Sequence, residues 1–137
     1  MNDYDFLADI ESGISASEEA DQNKTEIMDF LASLGSLLQE KYGIEIKLRN
    51  VMDFEILKVA FPITPATKPR LPEQILSLNK DGKTEDIATI KLEDVGYPVK
   101  VSYDGKHNYC SNIESLKSEI SQLLKSAYFG SKIKKMI

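Results

Sequence analysis

The spacing of apolar residues changes abruptly at Gly43. Before it, Ile27, Phe30, Leu31, Leu34, Leu37, Leu38 and Tyr42 recur at intervals of three and four, which gathers them on one face of a helix. After it, Ile44, Ile46 and Leu48 alternate with Glu45, Lys47 and Arg49, the period-two signature of a half-buried strand. A third switch comes near Ser111, where Ile113, Leu116, Ile120, Leu123, Leu124 and Ala127 return to helical spacing. A chain ordered helix, strands, helix has few ways to bury its apolar stripes.

The spacing predicts a first helix over about 24–42, opened by an Asn23–Glu26 capping box and closed at Gly43. Strands are expected at 44–49 and 53–61, joined by a hairpin at 50–53. "PITPATKPRLP" holds Pro62, Pro65, Pro69 and Pro72 and reads as an extended surface loop, because proline lacks the amide a sheet ladder needs. Further strands follow at 74–79, 86–92 and 97–103, with turns at Asp81-Gly82 and Gly96. Asp104-Gly105 reverses the chain into a short strand ending near Tyr109. The last helix is expected from a Ser111–Glu114 capping box to Gly130, leaving a basic tail, "SKIKKMI". The expected fold is α+β: an N-terminal helix, an antiparallel meander of five or six strands and a C-terminal helix, both helices packed on one sheet face. With 137 residues, residues 23–137 form one domain. Residues 1–22, small, polar and acidic after a short apolar cluster, are expected to be a flexible segment, although Ser15 and Glu18 have capping-box spacing.

Charge divides along the chain. Residues 1–40 carry ten acids and one base, Lys24, giving −9, and residues 41–137 carry twelve acids and sixteen bases, giving +4. A chain divided in this way can attract itself or offer each half to a different partner. Strand phase places Lys47, Arg49, Lys58, Lys91 and Lys100 on the outer sheet face, with Phe54, Ile56 and Ile87 among them, and turns Tyr97 and Tyr103 inward. That face is a solvated surface with edge lysines, a protein-binding surface, or a platform for single-stranded nucleic acid. In "DYDFLADIE", Phe6, Leu7 and Ile10 share one helical face flanked by acids. This segment packs on its own domain, is disordered, or folds onto another protein as a helix in a groove.

Catalytic equipment is sparse. The single histidine, His107, stands three residues before the single cysteine, Cys110, and in a strand such positions point to opposite faces. One His and one Cys make no ordinary zinc cluster. Asp3, Asp5 and Asp9 do not match a calcium loop. Glu45-Ile46-Lys47 has the E-x-K spacing of some nuclease strands without a partner aspartate on a neighbouring strand. Phosphate-loop, dinucleotide and nucleophile-elbow motifs are absent. No catalytic, metal-binding or cofactor-binding residue is therefore expected, and no cofactor. One cysteine excludes a disulfide framework, no apolar run approaches a membrane span, and no secretory signal is visible, so a cytoplasmic protein is expected. In size and charge the chain is similar to bacterial secretion chaperones and to small phage-encoded accessory and inhibitor proteins. That resemblance implies protein binding without chemistry and carries no residue over. The expected function is a small non-enzymatic protein-binding module, an adaptor, inhibitor or chaperone-like accessory protein, monomeric or homodimeric. The alternative is a nucleic-acid-binding protein using the basic sheet face and Lys132, Lys134 and Lys135.

Overall fold

The computed structural model describes residues 5–50 and 73–137. The first element is a 37-residue helix, α1 (Phe6–Tyr42), about 55 Å long at 1.5 Å per residue. It begins eighteen residues earlier than the period alone predicts. Its N-cap is Asp5, whose carboxylate accepts from the Ala8 amide at 3.2 Å, and Asp9 lies in the first turn, where a negative charge opposes the helix dipole. Within the segment 1–22 expected to be flexible, residues 6–22 are helical, and in "SGISASEEADQ" Ala16, Glu18, Glu19 and Ala20 are good helix formers whatever their polarity. Gly43 ends the helix as expected, in the left-handed region (φ 68°) with its amide bonded back to Gln39 and Leu38.

Among the described residues five strands form an antiparallel sheet in chain order: β1 (Glu45–Asn50), β2 (Gln74–Lys80), β3 (Lys83–Glu93), β4 (Gly96–Tyr103) and β5 (Lys106–Cys110). The strand expected at 53–61 and the proline-rich loop lie outside the described residues, and with them Phe54, Ile56 and Lys58. Two short helices close the chain, α2 (Ile113–Lys125) and α3 (Ala127–Lys134). The α2 N-cap is Asn112 rather than Ser111, accepting from the Ser115 amide at 2.8 Å. The expected stop at Gly130 is moved to Ser126, whose extended backbone (ψ 149°) breaks the helix and whose hydroxyl caps α3 by accepting from the Phe129 amide. The chain passes through Gly130 in α3, and Met136 of the basic tail is buried.

Strand pairing makes Leu48, Leu76 and Ala88 one cross-strand row. Ile90, Val101 and Asn108 form the next row on the same side. The three described helices address this side. α1 lies over β1 and β4, α2 over β4 and β5, and α3 against β3. Tyr97 and Tyr103 point inward as the strand phase predicts: Tyr97 donates to Glu26 of α1 at 2.7 Å, and Tyr103 donates to Glu119 of α2 at 3.0 Å. The core is a single cluster that includes Ile27, Leu31 and Leu38 from α1, Leu76, Leu78, Ile90, Val99 and Val101 from the sheet, and Leu116, Ile120 and Leu123 from α2. Each such aliphatic side chain contributes about 1.5–3 kcal/mol by leaving water. Ile87, expected on the outer face, belongs to this core. A register shift beside Leu76/Ser77 inserts an extra residue into β3, so the phase read from residue 91 does not extend back past the bulge.

Candidate interaction surfaces

Among the described residues, two surfaces lie outside the core: the outer face of the sheet and the N-terminal half of α1. On the outer face, Lys47 pairs in register with Ser77, and Ser77 with Asp86. Arg49 donates to Asp86 at 2.7 Å and the Ser77 hydroxyl donates to the other carboxylate oxygen at 2.8 Å. Burial alone would raise the Asp86 carboxyl. The hydrogen bonds from Arg49 and Ser77, with the positive charges of Arg49 and Lys132, outweigh it and hold the group below its ordinary value. Arg49, an expected contact residue, is thus already engaged. Lys47 makes only a loose pair with Glu45 at 3.9 Å, of the exposed kind that contributes little.

Lys91 and Lys100 are different. They face each other directly across β3 and β4, and Lys100 is next to Tyr109 on β5. Among the described residues neither lysine makes an ion pair, and like charges placed opposite one another are unfavourable. Beside them runs a second row of Ile75, Thr89, Ser102 and His107, in which the His107 ring Nδ1 and the Ser102 hydroxyl are 2.8 Å apart. Tyr109 is exposed and is an aromatic on this face that the strand phase missed, because its strand was too short to phase. The expected cationic face is therefore present in Lys47, Arg49, Lys91 and Lys100, but Asp86 neutralises part of it. Two of the three tail lysines are also engaged, Lys132 and Lys135 both bridging to Glu85, with Lys132 over the Tyr128 ring at 4.8 Å; Lys134 makes no ion pair among the described residues.

The N-terminal half of α1 extends past the packed region. The helix is fixed where it passes the β3–β4 turn: the Asn23 side-chain amide donates to the Val95 carbonyl at 3.0 Å, and Glu26 accepts from Tyr97. These two residues, expected to cap a helix, instead anchor one already under way. Burial, followed by the Glu26 bond and charge, pushes the Tyr97 phenol well above its ordinary value. N-terminal to Asn23 no residue of α1 is buried. Leu7, Ile10 and Ile14 are 66%, 59% and 55% exposed and share one face at spacings of three and four; Phe6, also exposed, borders it. Glu11 and Glu18, seven residues apart, run alongside, and residues 5–22 hold six acids and no base.

Cys110 is buried (2% exposed), whereas His107 is exposed on the opposite face. Burial, with the nearby charge of Glu119, pushes the Cys110 thiol up, away from the thiolate a nucleophile requires. Among the described residues no group of three or more His, Cys, Asp or Glu could hold a metal ion, and no helix is long and apolar enough to cross a membrane. A groove of about 700 Å³ between α1 and α2 is lined by Glu26, Asp29, Phe30, Ile113 and Lys117, among others, and its Glu26 already accepts from Tyr97. The chain matches no family model, no curated protein and no solved structure.

Proposed function

We propose that this chain is a non-enzymatic protein-binding module, an adaptor, inhibitor or accessory protein, whose principal contact element is the N-terminal half of α1. The observation that carries this reading is the stripe of Leu7, Ile10 and Ile14 on an exposed helix anchored at its base. A helix presenting apolar residues at such spacings is the form that docks into grooves on other proteins. Burial of each aliphatic side chain in a partner is worth about 1.5–3 kcal/mol before binding costs. The separation of His107 from Cys110 supports a non-catalytic role, and a buried thiol suits a reducing, cytoplasmic setting. The test is a photo-crosslinker at position 10 in native lysate, with the charge-bearing stripe variant L7E/I14E run beside it. Protein adducts that disappear in the variant are expected. Adducts indifferent to the stripe overturn the reading.

A second reading, nucleic-acid binding, is favoured by the facing pair Lys91 and Lys100 beside exposed Tyr109, a cationic strip with one stacking surface. It requires an oligonucleotide affinity that falls steeply with salt and is reduced by K91E/K100E. An affinity unchanged by either removes it.

A further inference from the structure

We infer that the N-terminal half of α1 from one copy lies across the outer sheet face of a second copy, and reciprocally, so that two chains exchange arms. The inference rests on the preceding reading of α1 as the contact element and names its partner. Three observations lead to it. The arm is uniformly acidic, and Lys91 and Lys100, facing each other on the outer sheet face, make no ion pair among the described residues. Both surfaces also carry apolar groups: Leu7, Ile10 and Ile14 on the arm, and on the sheet exposed Tyr109 beside Lys100 with half-buried Ile75 in the neighbouring row. Residues 6–22 span about 25 Å as helix, and five strands span about 19 Å across, so the arm is long enough to cross the face.

The geometry excludes the simpler pairings. The arm cannot reach its own outer face, because α1 is one continuous helix on the opposite side of the sheet, fixed by Asn23 and Glu26 to the β3–β4 turn. Two arms packed on each other would bring twelve carboxylates together with no base among them, a like-charge arrangement that costs rather than stabilises. Among the described residues, the outer-face pair Lys91 and Lys100 is therefore reached by an arm only from another copy. In that position Glu11 and Glu18, which flank the apolar stripe, lie toward Lys91 and Lys100. A reciprocal arrangement is closed by a two-fold axis and does not propagate.

The experiment is sedimentation velocity on the full chain through the micromolar range, at low and at physiological salt. A dimer that weakens as salt rises is expected. K91E/K100E and, separately, L7E/I10E are each expected to weaken it by at least about tenfold. Joining E11K/E18K to K91E/K100E is expected to restore it, because the charges are exchanged across the contact. Mixing the K91E/K100E chain with the L7E/I10E chain leaves one intact arm and one intact face. Arm exchange therefore gives a heterodimer weaker than the wild-type dimer, whereas arm-on-arm pairing gives none. All four substituted arm residues are exposed, and far-ultraviolet circular dichroism checks that each variant keeps its fold. A chain monomeric throughout the range overturns the inference, as does a dimer indifferent to K91E/K100E. If the chain is monomeric while stripe-dependent crosslinks to another protein persist, arm exchange is wrong and the protein-binding reading stands.

Discussion

Replacing Gly96 with alanine tests the anchor on which the placement of the arm depends. Gly96 has φ +97°, and a Cβ built there would stand 2.7 Å from the Asn23 Cβ. Two costs therefore add. An L-residue forced into the left-handed half of conformational space costs roughly 1–2 kcal/mol. The methyl group must also push α1 away from the β3–β4 turn, an overpacking of about 1–3 kcal/mol that further weakens the Asn23–Val95 hydrogen bond, worth about 0.5–1.5 kcal/mol. Gly82 separates the two, since it has φ +81° with nothing within 4 Å of its would-be Cβ. Gly82→Ala thus carries the backbone cost alone. Urea denaturation of both variants is expected to give equal m-values and a midpoint for Gly96→Ala lower by the equivalent of at least about 1 kcal/mol. Asn23→Gly completes a double-mutant cycle. It costs a few tenths of a kcal/mol of helix propensity and the Asn23–Val95 hydrogen bond, about 0.5–1.5 kcal/mol, but it removes the opposing Cβ, so the double variant is expected to be less destabilised than the sum of the singles by at least about 0.5 kcal/mol. If Gly96→Ala is no worse than Gly82→Ala, or the cycle is additive, the close approach of helix and turn is not what holds α1.

Leu7→Glu with Ile10→Glu, a change that would unfold a core, is expected to shift the stability of the monomer by less than about 0.5 kcal/mol, because both sites are exposed; urea unfolding at protein concentrations below those at which sedimentation shows dimer measures it. Asp86 has a lowered folded-state value, so its contribution is complete above the unfolded carboxyl range and is lost as pH falls through the lower folded value. Asp86→Asn is therefore expected to flatten the acid limb of the stability–pH curve while leaving the alkaline limb unchanged. Tyr97 and Tyr103 are raised. Their contribution is present below about pH 10, the unfolded tyrosine value, and is lost as pH rises toward the folded values. Tyr97→Phe is accordingly expected to make the protein less sensitive to alkali, read by the midpoint of alkaline unfolding. Cys110 is expected to resist an aromatic disulfide reagent in the native state and to react at once in denaturant, its modification rate following unfolding.

Most of the fold was legible because the two periods, 3.6 and 2, are strong where apolar residues face a core. Ile27, Leu31 and Leu38 announced α1, Val99 and Val101 announced β4, and Leu116, Ile120 and Leu123 announced α2. The limits of these signals are also physical. Periodicity reports burial, so it could not find the helix over 6–22, where nothing is buried. There the readable signals were Asp5 as a cap and a run of alanine and glutamate. The bulge beside Ser77 was invisible because it is a property of pairing, and it moved Ile87 inward and Asp86 outward. Ser126 looked like any helical serine until its hydroxyl was seen capping the next helix. Of the candidate contact residues, Phe6, Leu7 and Ile10 are brought onto an exposed helix. Lys47, Arg49, Lys91 and Lys100 share the outer face, and Arg49 is engaged there by an aspartate whose phase the bulge concealed.

That the arm is a helix before any partner arrives follows from how helices grow. An isolated segment of seventeen residues, acidic and holding Gly13, would be marginal in water, because forming the first turn is costly. In this chain the nucleus is supplied by the part of α1 that Ile27, Leu31 and Leu38 hold against the sheet. Extension toward Asp5 then adds about one hydrogen bond per residue fixed, the favourable stage of helix formation, and the Asp5 carboxylate satisfies an amide at the far end. The anchors at Asn23 and Glu26 fix the rotation of the helix about its axis as well as its path, so they set the direction in which Leu7, Ile10 and Ile14 face. A partner of the proposed kind would meet these side chains already aligned, with much of the ordering entropy that a disordered motif surrenders on binding spent in folding the domain. In the proposed reading, the close fit of Gly96 against Asn23 serves recognition as much as stability: loosening it leaves the residues of the stripe in place and removes their common orientation.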